Sequence, residues 1–173
     1  DTRYFYDDVV RPFVYRRYLD YGVFGSLREM KAMIEAEGER KEYRDNVKLG
    51  PGGIREIEFI AQSFQLVRGG SIAELRGREI LRVLPALAKH GCLPEQAVAE
   101  LTEAYLFLRR VENAIQWLRD EQTHQLPRDP EDQARVARDL GAQEASGVVQ
   151  HHQQVARLLL GVAVHEGHED LRV

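Results

Sequence analysis

Between Pro94 and about Glu121 the apolar residues Ala97, Leu101, Ala104, Leu108, Val111, Ile115 and Leu118 recur at alternating spacings of four and three. That spacing puts them on one face of a single helix as a continuous seam. The opposite face carries Glu100, Glu103, Arg110, Gln116 and Arg119. A helix this long with one apolar stripe has to lay it against other helices, so the seam commits the chain to a bundle. Pro94 suits the first helical position, where a missing N–H leaves nothing unpaired.

The remaining segments supply the partners. Ser26 with Glu29 reads as a capping box that opens a helix from Leu27 to about Glu37, with Met30, Met33 and Ile34 as its buried stripe. Gly52 and Gly53 precede a helix from Ile54 to about Arg68, lined on one face by Ile57, Ile60, Phe64 and Val67. Gly69 and Gly70 read as its left-handed cap. Arg78 to about His90 forms another helix, with Leu81, Leu84 and Ala88 inward, Gly91 as its stop, and a kink or early end at Pro85. Pro130 opens a helix to Leu140 that Gly141 ends, and a last one runs from about Gly147 to Val164. The stretch from Tyr4 to Asp20 reads as two helical pieces meeting near Arg11, because Pro12 interrupts it. Asn46 to Leu49 is the one strand candidate, too short to argue for a sheet. The expected fold class is all-α: a helical bundle with short connecting loops, built around one long central helix. Residues 1–25 read as a helical linker, 26–165 as the bundle domain and 166–173 as a frayed tail.

Composition narrows the function. The 173 residues, 43% apolar and 30% charged, can bury one substantial core without disulfides or metals. A net charge of -4 argues against a nucleic-acid partner, which calls for a basic surplus. The short basic pairs Arg16–Arg17 and Arg109–Arg110 read as solvated or salt-bridged faces. No apolar run approaches the ~20 residues of a membrane span, so no membrane is expected. The single cysteine, Cys92, rules out a disulfide framework and a zinc site built on cysteine pairs, a composition that a reducing cytoplasm permits. The chain opens on Asp1 without an initiator methionine and reads as an excised piece.

The segment Lys48-Leu49-Gly50-Pro51-Gly52-Gly53-Ile54-Arg55-Glu56-Ile57-Glu58-Phe59 is the most unusual in the chain. Its glycines and proline let the backbone turn sharply and approach something closely. A helix starting there offers backbone N–H groups to an anion such as phosphate, and Lys48 and Arg55 would add positive charge. Glu56 and Glu58 sit in its first turns, favourable to the helix dipole. On the residues alone a second reading stands equally: a glycine loop between packed helices, with charges on its surface.

The run from Asp45 to Gly70, D-N-V-K-L-G-P-G-G-I-R-E-I-E-F-I-A-Q-S-F-Q-L-V-R-G-G, resembles the bacterial glutamine synthetase adenylyltransferase/adenylyl-removing family. The resemblance extends over R-P-F-V-Y-R-R-Y-L-D-Y (Arg11 to Tyr21), S-L-R-E-M-K-A-M-I (Ser26 to Ile34), A-Y-L-F-L-R-R-V-E-N (Ala104 to Asn113) and D-E-Q-T-H-Q-L-P (Asp120 to Pro127). It thins beyond about Leu140. It implies a helical domain following a nucleotidyltransferase domain in an enzyme that attaches AMP to glutamine synthetase from ATP and removes it by phosphorolysis to ADP. I-R-E-I-E-F is similar to the removing half; the other half reads closer to L-V-D-I-E-F. The resemblance further implies Mg2+ and ATP or ADP as cofactors of the parent, and glutamine synthetase, the PII signal protein and the upstream nucleotidyltransferase domain as partners. The family's metal-binding G-S-D-x-D motif is absent from this chain, so the fragment is expected to bind no cofactor and to be inactive alone. Lys48, Gly52, Gly53, Arg55, Glu56 and Glu58 are then candidates for the edge of the upstream active site. The alternatives are a non-catalytic spacer, the helical region of the adenylylating half, and, ranked last, that of the PII uridylyltransferase.

Other chemistry-bearing residues read blandly. Trp117 stands one position off the seam, as core or a partner contact, and Cys92 as a buried spectator. Adjacent His151 and His152 point to different helix faces, and His165 and His168 fall at the frayed end. Arg109, Arg110 and Glu112 suggest a buried or interfacial ion pair; if Arg109 faced the glycine loop it would join the anion site.

Overall fold

A computed structural model describes residues 2–15, 22–40 and 43–141 of the chain. The expected helix from Gly147 to Val164, its histidines, the tail and Arg16–Arg17 lie outside the described residues. In chain order the helices are α1 (Thr2–Phe5), a π-helical turn (Tyr6–Val10), α2 (Arg11–Val14), α3 (Gly22–Arg40), α4 (Ile54–Arg68), α5 (Ile80–Lys89), α6 (Glu95–Arg119) and α7 (Pro130–Leu140). Short 3-10 turns occupy Tyr43–Asp45 and Ala73–Arg76. Among the described residues there is no strand, only an isolated antiparallel bridge between Asn46 and Gln125. The fold is all-α.

The central helix is α6. It starts one residue after Pro94 and ends at Asp120, whose left-handed φ of 50° stops it. Its seam lies in the core: Ala97, Leu101, Ala104, Leu108, Val111 and Ile115 are buried, and Leu118 packs against the cluster. Helices α4, α5 and α7 all contact it. From α4 come Ile54, Ile57 and Ile60, with Phe64 and Val67 at the margin, so that stripe falls as the spacing places it. From α7 come Val136, Ala137 and Leu140. That helix begins under a side-chain cap, Asp129 accepting from the Glu131 and Asp132 N–H groups, and ends at left-handed Gly141.

Several expectations need correcting. Helix α5 runs through Pro85 without ending, the proline exposed. Its buried face is Val83, Leu84, Ala86 and Leu87, and Leu81 points outward. Gly69 is right-handed (φ -63°) and not a left-handed cap; its lack of a side chain makes room for the Tyr15 ring, 2.6 Å from where a Cβ would stand. Helix α3 begins at Gly22, so Ser26 lies inside it and caps nothing. Leu27 and Gly38 are buried there and Ile34 packs at the margin, whereas Met30 and Met33 are exposed. The N-terminal pieces do meet at Arg11, where the π-helical turn passes into α2, and Phe5, Val10 and Arg11 all keep right-handed helical angles, so the chain stays helical through the junction. Its widened π-turn pairs the Arg11 N–H with the Tyr6 carbonyl just before Pro12, where a proline ring would otherwise crowd the preceding turn. Trp117 is 87% exposed and belongs to no core.

The seam gives a direct stability contrast. Leu108→Ala removes a fully buried side chain and is expected to cost about 2–5 kcal/mol in denaturant unfolding. Trp117→Ala, on the same helix, should stay within about 0.5 kcal/mol of the parent chain. Equal effects would contradict this assignment of the core.

Candidate functional site

The glycine loop is built from the inside. Asn46 is buried, and its side-chain oxygen accepts from the N–H groups of Lys48 (3.0 Å) and Leu49 (2.8 Å), while its carbonyl accepts from Gly50 (2.9 Å). The Val47 N–H donates to the His124 carbonyl and the Leu126 N–H to the Asp45 carbonyl, both at 2.9 Å, so this loop is stitched to the segment after α6. Two glycines are demanded by close approach. A Cβ on Gly50 would stand 2.4 Å from the carbonyl oxygens of Asn46 and Tyr43, and one on Gly53 within 2.9 Å of those of Lys48 and Gly50. Gly52 adopts φ 71°, which a side chain disfavours.

Helix α4 therefore starts with its donors engaged. Ile54 donates to Val47 and Arg55 to Lys48, each at 3.1 Å, and Glu56 donates to Gly53 at 3.0 Å. The buried Glu56 carboxylate turns back and accepts at 2.8 Å from the N–H of Gly52, the residue before the N-cap Gly53. The free N–H groups anticipated for an anion at this turn are thus used internally.

The charged side chains separate into two groups. Lys48 reaches to Glu112 on α6, with its Nζ 3.3 Å from Oε1. Arg109 Nη1 lies 2.7 Å from the other carboxylate oxygen, and His124 Nδ1 lies 2.9 Å from Oε1. The Glu112 side chain is 3% exposed, against 34% for Lys48, 43% for Arg109 and 26% for His124. At Oε1 both the His124 and the Lys48 contacts have hydrogen-bond length but not hydrogen-bond alignment, so they are electrostatic contacts rather than made bonds. One buried carboxylate thus gathers three basic groups from three segments, Arg109 at Oε2 and Lys48 and His124 at Oε1.

Arg55 points outward from the first turn of α4. Glu58 instead lines an open groove of about 430 Å³ between α4, α5 and α6, together with Gln62, Gln65, Arg78 and Tyr105. Burial pushes the Tyr105 phenol above its ordinary value, and the nearby Glu58 carboxylate adds to the shift. Among the described residues no three His, Cys, Asp or Glu side chains gather in a way that could hold a metal.

Of the candidate residues, Gly52, Gly53 and Glu56 shape the turn, Lys48 joins the Glu112 cluster, Glu58 lies in the groove and Arg55 faces solvent. The structure adds His124 and Tyr105, which no local pattern singles out. Glu112 has a weak signal, since it follows seam residue Val111 and stands three residues after Arg109.

Tyr105 offers a pH test. Its raised pKa means the unfolded chain loses this proton first, so its contribution to stability is intact below about pH 10 and falls as pH rises beyond it. In an NMR titration Tyr105 should ionise later than an unperturbed tyrosine, and Glu58→Gln should bring it earlier. An ordinary midpoint, or none of that response, would contradict the placement.

Against known proteins, residues 28–168 match the family described as GlnD PII-uridylyltransferase. The chain is 53% identical over 151 residues to a bifunctional glutamine synthetase adenylyltransferase/adenylyl-removing enzyme of Nitrosococcus oceani, covering 85% of this chain and 16% of that protein. Proteins of the same name from Nitrosomonas eutropha and Nitrosomonas europaea are 48% and 51% identical over 83% and 77% of the chain, and 15% and 14% of their own length. The chain thus spans about one sixth of these relatives. It belongs to the family that spans residues 28–168, and its relatives there at about half identity are bifunctional glutamine synthetase adenylyltransferase/adenylyl-removing enzymes.

Proposed function

We propose that this chain is the helical domain of a bifunctional enzyme that attaches AMP to glutamine synthetase and removes it, from the half that removes it by phosphorolysis. In this reading it forms one edge of the cleft of an upstream nucleotidyltransferase domain, in the cytoplasm, with glutamine synthetase and the PII signal protein as partners. The observation that carries it is the placing of Lys48 and Arg55. The Arg55 N–H donates to the Lys48 carbonyl, so the two basic residues are neighbours in the backbone of one turn, the Lys48 side chain reaching to Glu112 and the Arg55 side chain exposed. Basic side chains held at a fixed rim suit the charge of a phosphate or nucleotide. ATP and Mg2+ belong to the proposed parent enzyme. By the resemblance, the carboxylates that hold magnesium in that parent are assigned to the upstream domain.

A spacer reading draws on the same loop. Gly52, Gly53 and Glu56 are buried and serve the turn itself, which is what a scaffold needs. Enzyme assays separate the two. In the intact parent enzyme, Arg55→Ala should slow adenylyl removal by about 10- to 100-fold, in the range of a lost charge-assisted contact. Wild-type removal by both Arg55→Ala and Lys48→Met would leave only the spacer.

A further inference from the structure

We infer that Lys48, Arg109 and His124 form a binding site for a phosphate-class oxyanion, assembled on the buried carboxylate of Glu112. One carboxylate needs one cation to offset its charge. Here it meets a lysine at 3.3 Å, an arginine at 2.7 Å and a histidine at 2.9 Å, so that, counted over these four side chains, Lys48 and Arg109 leave one positive charge in surplus. The surplus is turned outward: the carboxylate is 3% exposed, and each base keeps between 26% and 43% of its side chain in solvent. Donors remain for a ligand. The Lys48 ammonium carries three, the Arg109 guanidinium five, and each spends only part on Glu112. His124 turns Nδ1 inward, so its exposed edge is the one bearing Nε2.

The site is also pre-organised. The Lys48 N–H is held by the Asn46 side chain, the His124 carbonyl takes the Val47 N–H, and Arg109 stands within α6. A surface cluster without these features lies at Glu74, which meets Lys89 at 2.7 Å and His90 at 3.2 Å but is itself half exposed. There the carboxylate bonds both bases but is open to water.

The ligand class deepens the functional reading above, since phosphate or nucleotide at this edge is what that reading requires. Binding is nevertheless measured on this chain alone, so it can succeed where the activity reading fails. The experiment titrates the 173-residue chain with inorganic phosphate and, in parallel, with AMP at constant ionic strength, following the His124 ring by NMR. We expect a saturable shift of His124. Lys48→Met and Arg109→Gln should each weaken binding about tenfold, as losing one charge-assisted hydrogen bond does, and Lys89→Met should not. Saturation by phosphate names the free anion, and saturation by AMP alone names a phosphomonoester. The wild-type titration needs no variant, so a misfolded substitution does not remove the test. Absence of saturation by both ligands, or equal weakening by Lys89→Met, overturns the site.

Discussion

Everything around the candidate site depends on one buried negative charge. Taking a carboxylate out of water costs several kcal/mol unless it is paired, and breaking such a pair by removing one partner costs about 3–5 kcal/mol. Glu112 sits on the central helix beside the seam that builds the core, so it cannot leave without undoing that helix. Its partners must come to it. Lys48 arrives from the glycine loop, His124 from the segment after α6, and Arg109 from one turn earlier on α6. The pairing of Val47 with His124 and of Leu126 with Asp45 is the backbone counterpart of the same requirement.

This gives the glycine motif a physical meaning. Gly50 and Gly53 are glycines because carbonyl oxygens occupy the space a side chain would need, and Glu56 closes the turn by accepting the Gly52 N–H. The motif's backbone is therefore spent on folding; its Arg55 side chain is exposed, and its Lys48 side chain reaches to Glu112. A segment that looks from its composition like a phosphate cradle spends its N–H groups on its own turn.

How far the chain could be read in advance follows from the range of each interaction. The seam from Ala97 to Leu118 and the stripe from Ile57 to Val67 were legible because helical periodicity is local and both faces bury against neighbours. Met30, Met33 and Leu81 were misplaced because periodicity gives a stripe but not the width of the surface that covers it. Ser26 with Glu29 matches a capping box, yet nothing local records that the helix has already begun at Gly22. In the candidate site, Lys48 and the glycines stood out by composition. His124 did not, since its role exists only once a loop 76 residues after Lys48 folds back beside it. That is the general limit: a polar cluster drawn from three segments has no signature in any one of them.

The central claim is that Glu112 ties the glycine loop to the segment after α6. Amide hydrogen exchange on Glu112→Gln tests it most directly, because the substitution keeps the shape and removes the charge. Faster exchange is expected at the Val47 and Leu126 N–H groups, with the amides of α5 left as they were. Unchanged protection at Val47 and Leu126 would contradict it.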